Sequence, residues 1–469
     1  MNPRSRRNFI KQASCAAIGS TTFLSTLMNL KSLNAAYINN FMASPPEDYK
    51  ALVCLYMGGG NDSYNMLVPR DSTNTGSKYA KYANTRSNLA LPFQNLISLS
   101  NAVVNSEQMG LHPSMPRIAQ LYQQQKMAFI SNIGTLIEPI SNKTQISNKT
   151  KQVPLGLYSH SDQTMHWQTS VPQSRVATGW GGKMADLMSS ANTNANISMS
   201  ISLAGTNVFQ TGNNSVEFAL DPRRGGVGII DDNNVWLMNT IRKNAIDAMV
   251  NRSYQDAFKS SYINVLKNSR DGNAQFANAL ATLPTYTVPF ADTDISQSFK
   301  MITNVINARV ALGMKRQVFF VEYGGWDHHD EVLMAQNSML GQVDAAIHSF
   351  QSALGQIGMA DNVVTFTISD FARTLSSNGN GTDHGWGGNA MVFGNPVAGG
   401  RVFGTYPTLE LNSSIELGGG VFIPSTSPDQ YFAELALWYG VAPTDLPLLF
   451  PNIGNFYSLG SGKPIGFIK

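Results

Sequence analysis

The chain has 469 residues, of which 42% are hydrophobic and only 13% are charged, and its formal net charge is +3 at pH 7. Charged residues make up about a quarter of an average protein, so a polar but largely uncharged surface is expected, as in exported proteins. Arg4, Arg6, Arg7, Lys11 and Lys31 precede residue 36 with no acid among them, which leaves 28 basic against 30 acidic residues in the rest. This balance excludes a broad basic face for nucleic acid or anionic lipid.

The first 36 residues have the features of an export signal. Arg6 and Arg7 stand before a moderately apolar run that ends near Leu30. A basic start before an apolar stretch predicts a targeting segment, and paired arginines indicate the twin-arginine type; the alternative is a chance pair before a buried helix. The run is short for the ~20 apolar residues of a membrane span. We therefore expect residues 1–36 to be a signal peptide and the twin-arginine translocase to be a partner during export. The mature protein is then periplasmic or secreted, with no stable membrane span.

Two cysteines, Cys15 and Cys54, are too few for a disulfide framework in the mature chain, because Cys15 lies in the predicted signal. The twin-arginine route carries folded proteins, so any cofactor would be bound before export.

A continuous apolar run from Tyr49 to Met57 predicts a strand that is buried on both faces, as in a parallel sheet covered by helices on either side. It leads into glycines 58–60, where the backbone can turn tightly and approach a ligand. Asp62 follows. This carboxylate is either part of a site at the strand end or a cap of the next helix.

A helix from Ser114 to Gln125 and a strand from Met127 to Ile133 are the next predicted elements. After a polar loop, Ser159, His160 and Ser161 precede a predicted helix start, and the positive end of a helix binds anions well. Either serine is therefore a candidate nucleophile, and simple helix capping is the alternative.

Residues 183–315 carry two long helical patterns, at 233–267 and 294–312, without legible chemistry. We expect an inserted helical cap layer within a single α/β domain that spans residues 45–469.

A further buried strand, Gln317–Tyr323, ends in two glycines and the run Trp-Asp-His-His-Asp at 326–330. Carboxylate and imidazole groups together suit zinc, iron or manganese. Adjacent side chains cannot all point inward, so Asp327 and His329 are the expected ligands. A solvated polar turn is the alternative.

The strand Val364–Ser369 ends in Asp370 and Arg373, and His384 follows in a glycine-rich turn. An arginine can bind a tetrahedral anion with two parallel hydrogen bonds. The strand end thus combines an acid, an anion-binding cation and an imidazole.

Ligand chemistry in open α/β sheets lies at the carboxyl ends of strands. The ends after Met57, Tyr323 and Ser369 are therefore expected to converge on one anion-binding, metal-assisted site. There, carboxylates would hold a metal, the metal would polarise a phosphoryl or sulfuryl oxygen, and a hydroxyl at a helix start would attack. The residues thus predict a hydrolase of a small anionic ester.

Five motifs, together with the twin-arginine leader, resemble the exported bacterial family catalogued as domain of unknown function 1501. They are Gly-Gly-Asn-Asp-Ser at 59–63, Ser-His-Ser-Asp-Gln at 159–163, Gly-Gly-Trp-Asp-His-His at 324–329, Ser-Asp-Phe-Ala-Arg-Thr at 369–374 and Asp-His-Gly-Trp-Gly-Gly at 383–388. That family is grouped with the alkaline phosphatases and sulfatases. The resemblance implies an alkaline phosphatase-like, three-layer αβα sandwich with a mostly parallel central sheet.

By position in these motifs, the resemblance also implies a set of metal ligands: Asp62, Asp327, His329, Asp370 and His384. Ser159 or Ser161 would be the nucleophile, and His160 and Arg373 are the other catalytic candidates. The implied cofactor is one divalent metal ion (Ca²⁺, Mg²⁺ or Zn²⁺), and the implied function is hydrolysis of a phosphate or sulfate ester outside the cytoplasm.

Two departures support alternatives. Phe371 stands where related phosphatases have a histidine after the late acid, and the run at 159–163 lacks the Cys/Ser-x-Pro-x-Arg motif of sulfatases. One alternative is a catalytically degenerate member that binds an anionic glycan or a partner protein. The other is a surface-assembly factor whose function lies in residues 183–315.

Overall fold

The computed structural model describes residues 48–99, 108–194, 196–223 and 237–469. The predicted signal peptide, residues 1–36, lies outside the described residues. The strands, numbered in chain order, are β1 Lys50–Met57, β2 Leu67–Pro69, β3 Ile97–Leu99, β4 Met109–Leu111, β5 Met127–Ile133, β6 Ser200–Ser202, β7 Phe218–Ala219, β8 Arg316–Glu322, β9 Val363–Ser369, β10 Gly388–Phe393 and β11 Val402–Phe403.

The helices, numbered in the same way, are α1 Ser63–Met66, α2 Lys78–Arg86, α3 Pro116–Gln123, α4 Lys143–Ser147, α5 His160–Thr169, α6 Trp180–Leu187, α7 Leu237–Val250, α8 Ala257–Ala281, α9 Asp294–Asn307, α10 Val332–Gln356, α11 Pro428–Tyr439 and α12 Leu446–Leu449. Short 3₁₀ turns occur at Ser87–Leu89, Phe93–Asn95, Ser189–Ala191, Pro443–Asp445 and Ile453–Asn455.

The central sheet has eight strands in the order β11-β5-β10-β9-β1-β8-β6-β7, and β2, β4 and β3 form a separate small sheet. β1 pairs in parallel with both β8 and β9, whereas β10 runs antiparallel to its neighbours. Tyr56 lies opposite Glu322, and Met57 lies opposite Ser369. The prediction of a mostly parallel sheet is therefore confirmed, and the carboxyl ends of three predicted strands meet at one edge.

Helices cover both faces of this sheet because its central strands are apolar on both sides. On β1, Val53 and Leu55 belong to a core that includes residues of α3, α9 and α10. Leu52 and Cys54 point to the opposite face, where residues of α5, α6 and α11 complete a second core. All four side chains are fully buried. The predicted three-layer αβα architecture is confirmed.

Residues 183–315 contribute to this framework directly. β6 and β7 extend the central sheet beside β8, and α9 packs against α10. The helical pattern at 233–267 is interrupted after Val250, and Asp256 caps α8 by accepting a hydrogen bond from the backbone N–H of Lys259. The division into one domain with an inserted cap layer stays a prediction.

None of the helices in the described ranges is both long and apolar enough to cross a membrane.

Asp429 is a buried carboxyl in the first turn of α11, on the side of the second core. Ser427 caps this helix together with Gln430, and the hydroxyl of Ser170 donates a 2.6 Å hydrogen bond to Oδ1 of Asp429. Desolvation of this fully buried group raises the pKa of Asp429 to about 7. An acid with a raised pKa in the folded state stabilises the fold while it is protonated, and this contribution is lost as the pH rises towards that pKa.

We expect Asp429→Asn to flatten the pH dependence of stability. The unfolded acid titrates near 4, so the native protein should lose ~2–3 kcal/mol of unfolding free energy from this group between pH 5 and pH 8. The asparagine retains an acceptor for Ser170 but does not titrate. Urea unfolding at pH 5, 6.5 and 8, followed by circular dichroism, measures the difference. Parallel profiles of the two proteins would contradict the assignment.

Candidate metal centre

The candidate centre lies at the C-terminal edge of the sheet, where the loops after β1, β8 and β9 meet the start of α5. Gly59 allows two of these loops to touch. Its φ is +117°, and a Cβ atom there would lie 2.6 Å from the backbone nitrogen of Asp327. A side chain at this position would force the loops apart, so the glycine is required by both backbone conformation and space.

His160, Asp327 and His384 form the inner group of the centre. One potential ligand atom from each lies within 4.8 Å of the other two. Nε2 of His160 is 3.1 Å from Nε2 of His384 and 3.3 Å from Oδ2 of Asp327. Nε2 of His384 is 3.3 Å from Oδ1 of Asp327. Such separations are close to those between neighbouring ligand atoms around a zinc ion with bonds of ~2.0–2.2 Å.

His329 adjoins this group on the solvent side. Its Nε2 lies 3.0 Å from Oδ1 of Asp327 and 3.1 Å from Nε2 of His384. Its Nδ1 faces Oδ1 of Asp383 at 3.2 Å, and the two side chains are 46% and 60% exposed. The predicted ligands Asp327, His329 and His384 are therefore brought together, with His329 as the most exposed of the three.

The hydrogen-bond partners of Nδ1 fix the tautomers of His160 and His384. Nδ1 of His160 is 2.6 Å from Oδ2 of Asp370, and Nδ1 of His384 is 2.8 Å from the carbonyl oxygen of Tyr158. A carboxylate and a carbonyl only accept, so each Nδ1 carries the proton and donates it. Each Nε2 then presents a lone pair to the centre, which is the arrangement of metal-binding histidines held by outer carboxylate or carbonyl groups.

The donor set fits a metal ion. Two bare imidazole nitrogens 3.1 Å apart, next to a carboxylate, repel one another unless a cation lies between them. Desolvation lowers the pKa of His384, so its ring is neutral near pH 7. Desolvation of Asp327 opposes ionisation, but the hydrogen bond and charge of Arg373 outweigh it and lower the pKa of Asp327. The shifts of the pKa of His384 and of the pKa of Asp327 therefore both favour the deprotonated form, which is the form that can bind a metal.

Asp370 contacts this group through His160. Its Oδ1 accepts a 2.5 Å hydrogen bond from the hydroxyl of Tyr56 and a 3.1 Å bond from the backbone N–H of Gly59. Its Oδ2 is occupied by His160. The predicted ligand Asp370 thus lies behind His160 and outside the group of converging atoms, and it holds the imidazole of His160 in place.

Arg373 is buried, and its guanidinium donates to groups of three loops around the centre. Nη1 lies 2.5 Å from Oδ1 of Asp327 and 3.4 Å from the carbonyl of Gly59, and the rest of the guanidinium donates to Thr382. Its side chain has no exposed area. The predicted anion clamp therefore faces inward and fixes the carboxylate of Asp327.

Asp62 lies outside the inner group and is fully buried. Its Oδ2 pairs with the guanidinium of Arg86, which also donates to Oδ1 of Asn65 at 2.9 Å. Gln336 donates to the backbone carbonyl of Asp62 at 2.5 Å, while Oδ1 of Asp62 has no hydrogen-bond partner among the described residues. The structure thus pairs this predicted ligand with a buried arginine.

The two candidate nucleophiles, Ser159 and Ser161, lie at the start of α5. Ser159 is the N-cap and accepts a hydrogen bond from the backbone N–H of Asp162. Ser161 is exposed, and its hydroxyl lies 3.1 Å from that of Ser159. Of the predicted catalytic residues in this turn, His160 is the one whose side chain reaches the inner group.

Phe371 gives the imidazoles an apolar wall. Its ring centroid is 4.8 Å from that of His160 and 4.5 Å from that of His384. On another side it borders a cavity of about 30 Å³, which Asn61 and Ser369 also line. A cavity of this size is large enough for one water molecule, and its lining mixes polar with apolar side chains.

Four residues around the centre were not singled out by sequence reasoning: Tyr56, Arg86, Thr164 and Asp383. The adjacent pair Asp383 and His384 was a usable signal for one of them. Tyr56 reads as a core residue of β1, and Thr164 and Arg86 lie in ordinary helical patterns. Their roles depend on contacts between distant segments.

Comparison with known proteins gives a family and several distant structural similarities. The family model described as "Protein of unknown function (DUF1501)" matches residues 49–416. None of the curated proteins searched matches the chain. The PsFucS1 sulfatase from Pseudoalteromonas sp. is 10% identical with a TM-score of 0.35, over 88% of this chain and 72% of the sulfatase.

Two further solved structures align at similar levels. The Streptococcus pyogenes phosphoglycerol transferase GacH, solved with sn-glycerol-1-phosphate, is 11% identical with a TM-score of 0.32, over 94% of each chain. A mutant of TAB5 alkaline phosphatase is 10% identical with a TM-score of 0.25, over 74% of this chain and 91% of the phosphatase.

Proposed function

This chain belongs to the DUF1501 family of proteins of unknown function, and we propose that it is an exported, metal-assisted hydrolase of a small phosphate or sulfate ester. The observation that carries the proposal is the convergence of two imidazole Nε2 atoms and the carboxylate of Asp327 at the end of the parallel sheet. A third imidazole, that of His329, lies at hydrogen-bond distance from the group. The twin-arginine leader supports export.

The ligand chemistry narrows the choice of metal. Imidazole nitrogen suits zinc, iron and other transition metals, whereas Ca²⁺ and Mg²⁺ prefer oxygen ligands. Among Ca²⁺, Mg²⁺ and Zn²⁺, the nitrogen-rich group favours Zn²⁺. When bound, such an ion polarises an ester oxygen and stabilises the charge that develops on it.

The protein residues have separable roles around this ion. Asp327, His160 and His384 would hold it, and Arg373 fixes the carboxylate of Asp327 from the buried side. Ser159 is engaged as a helix cap, and among the described residues the group of converging ligand atoms comes from His160, Asp327 and His384 and not from either serine, so we assign the attack on the ester to water. We therefore expect Ser159→Ala to weaken α5 without removing the chemistry.

The experiment is metal analysis combined with an ester panel. Protein matured through the twin-arginine route should contain about one equivalent of zinc, and it should hydrolyse at least one member of a panel of phosphate monoesters, phosphate diesters and sulfate esters. A chelator should abolish the activity and Zn²⁺ should restore it. Activity that survives complete removal of metal, or a protein that neither binds metal nor turns over any ester, would refute the proposal.

Binding without turnover is the second candidate. It is favoured by the pairing of Asp62 with Arg86 and by the ring of Phe371 on two imidazoles, since both reduce the number of polar groups that can act on an ester. Saturable binding of an anionic glycan or a partner protein by metal-loaded protein, without hydrolysis, would support it over the first candidate.

A further inference from the structure

We propose that Tyr56 and Thr164 are positioning residues for His160 and that they act through Asp370. This inference rests on the proposed function, because it assigns how the protein aims one imidazole of the metal-holding group. The contacts involved are the hydroxyl–hydroxyl contact of Thr164 and Tyr56 at 2.7 Å, the Tyr56–Asp370 bond at 2.5 Å and the Asp370–His160 bond at 2.6 Å.

The donor and the acceptor in each of these three hydrogen bonds follow by elimination. Asp370 accepts on both oxygens, so the single hydroxyl proton of Tyr56 is donated to Oδ1, and the proton of Nδ1 on His160 is donated to Oδ2. The oxygen of Tyr56 is then free to accept, and Thr164 donates to it. The three hydrogen bonds therefore select one tautomer of His160, in which the lone pair on Nε2 points to Asp327 and His384.

The first and the last residue of this series of hydrogen bonds, Thr164 and His160, both belong to α5. His160 and Thr164 are four residues apart on this helix, and such residues lie on one face. Tyr56 belongs to β1, and Asp370 follows β9. Three side-chain hydrogen bonds thus fasten the first turn of α5 to the edge of the sheet at two points, which limits both rotation of the helix and rotation of the imidazole.

Burial makes this ring of contacts well defined. Tyr56 is 6% exposed and Asp370 is 2% exposed, so water competes little for their hydrogen bonds. Without the tyrosine hydroxyl, Oδ1 of Asp370 keeps one of its two donors in the described part of the chain, the backbone N–H of Gly59. The carboxylate can then turn, and Nδ1 of His160 loses its fixed acceptor. Metal-bound histidines whose outer partner is removed typically lose 10–100-fold in metal affinity.

The test compares Tyr56→Phe and Thr164→Val with Tyr49→Phe as a matched control. Tyr49 is also a buried tyrosine bonded to a side chain, Oε1 of Gln317 at 2.7 Å, but it lies at the opposite end of β1. Zinc affinity is measured by competition with a chromophoric chelator. We expect about a 10-fold loss for Tyr56→Phe, the lower end of the range for a direct partner because Tyr56 acts through Asp370, a smaller loss for Thr164→Val and no loss for the control.

A second readout does not involve metal. In the metal-free protein, ¹⁵N chemical shifts of the His160 ring should show the proton on Nδ1, and Tyr56→Phe should move the equilibrium towards the Nε2 tautomer. If the wild type binds zinc and Tyr56→Phe binds it equally well with the proton still on Nδ1, the inference is overturned. If the wild type binds no metal, the proposed function fails, and the ring shifts alone decide the positioning role. Should Tyr56→Phe fail to fold, Thr164→Val decides on the same two measurements.

Discussion

Asp327→Asn should lower zinc affinity by at least ~100-fold, which is the upper end of the effect of removing a group that only supports a ligand. Asp327 contacts all three imidazoles of the centre, and it supplies the negatively charged ligand among them. An amide of the same shape keeps one oxygen but replaces the other by an N–H₂ donor, which cannot bind a metal. Ester hydrolysis should fall in parallel with metal content.

Asp330→Asn is the matched control for this prediction. Asp330 is an exposed acid in the same loop and hydrogen-bonds to Asn380 and to the backbone N–H of Glu331. Removing its charge should leave zinc affinity close to that of the wild type. Loss of metal in both variants would indicate a general effect of loop charge, and retention of metal by Asp327→Asn would remove Asp327 from the centre.

The sequence predicted the edge of the sheet where the site lies because that prediction depends on backbone direction alone. The apolar runs that became β1, β8 and β9 are buried on both faces, and such strands run parallel. Once they are parallel and adjacent, Asp62, Asp327 and Asp370 must follow strand ends on one side. The three-layer architecture was predictable for the same reason.

The role of each side chain was harder to predict from the sequence, because it depends on the direction in which the side chain leaves its turn. Ser159, His160 and Ser161 are consecutive, and the start of α5 decides among them. Once Ser159 turns towards the first free N–H groups of the helix as its cap, His160 is directed to the centre. A one-residue shift of the helix start would have exchanged these positions.

Partners that come from distant segments could not be predicted at all. Arg86 ends α2, and nothing in its neighbourhood in the sequence indicates that it meets Asp62. Without that arginine, Asp62 reads as a free carboxylate at a glycine-rich strand end. With it, the same carboxylate is one half of a buried ion pair.

Arg86→Met should destabilise the metal-free protein by ~3–5 kcal/mol, the cost of leaving one member of a buried ion pair without its partner. Arg86 has no exposed side-chain area, and Asp62 is equally buried. The guanidinium also donates to the carbonyl oxygens of Thr374 and Leu375 at 3.0 and 3.2 Å, which lie in the loop after β9. Urea unfolding followed by circular dichroism measures the loss.

The double variant Asp62→Asn/Arg86→Met separates the charge from the packing. It removes the unpaired carboxylate, so it should be more stable than Arg86→Met alone, even though it carries one more substitution. This recovery is expected because an isolated buried charge costs more than a buried amide. A double variant that is less stable than Arg86→Met would contradict the ion-pair account and would instead assign the loss to the hydrogen bonds with the loop after β9.

Asp62→Asn alone distinguishes a structural carboxylate from a metal ligand. If Asp62 were a ligand, this substitution would lower the zinc affinity of the protein, as we expect for Asp327→Asn. The structure places Arg86 on Oδ2 and leaves Asp62 outside the group formed by His160, Asp327 and His384. We therefore expect Asp62→Asn to bind zinc like the wild type and to lose stability instead, because an asparagine accepts more weakly from the guanidinium than a carboxylate does. Loss of zinc at unchanged stability would restore Asp62 to the set of ligands that the sequence motifs imply.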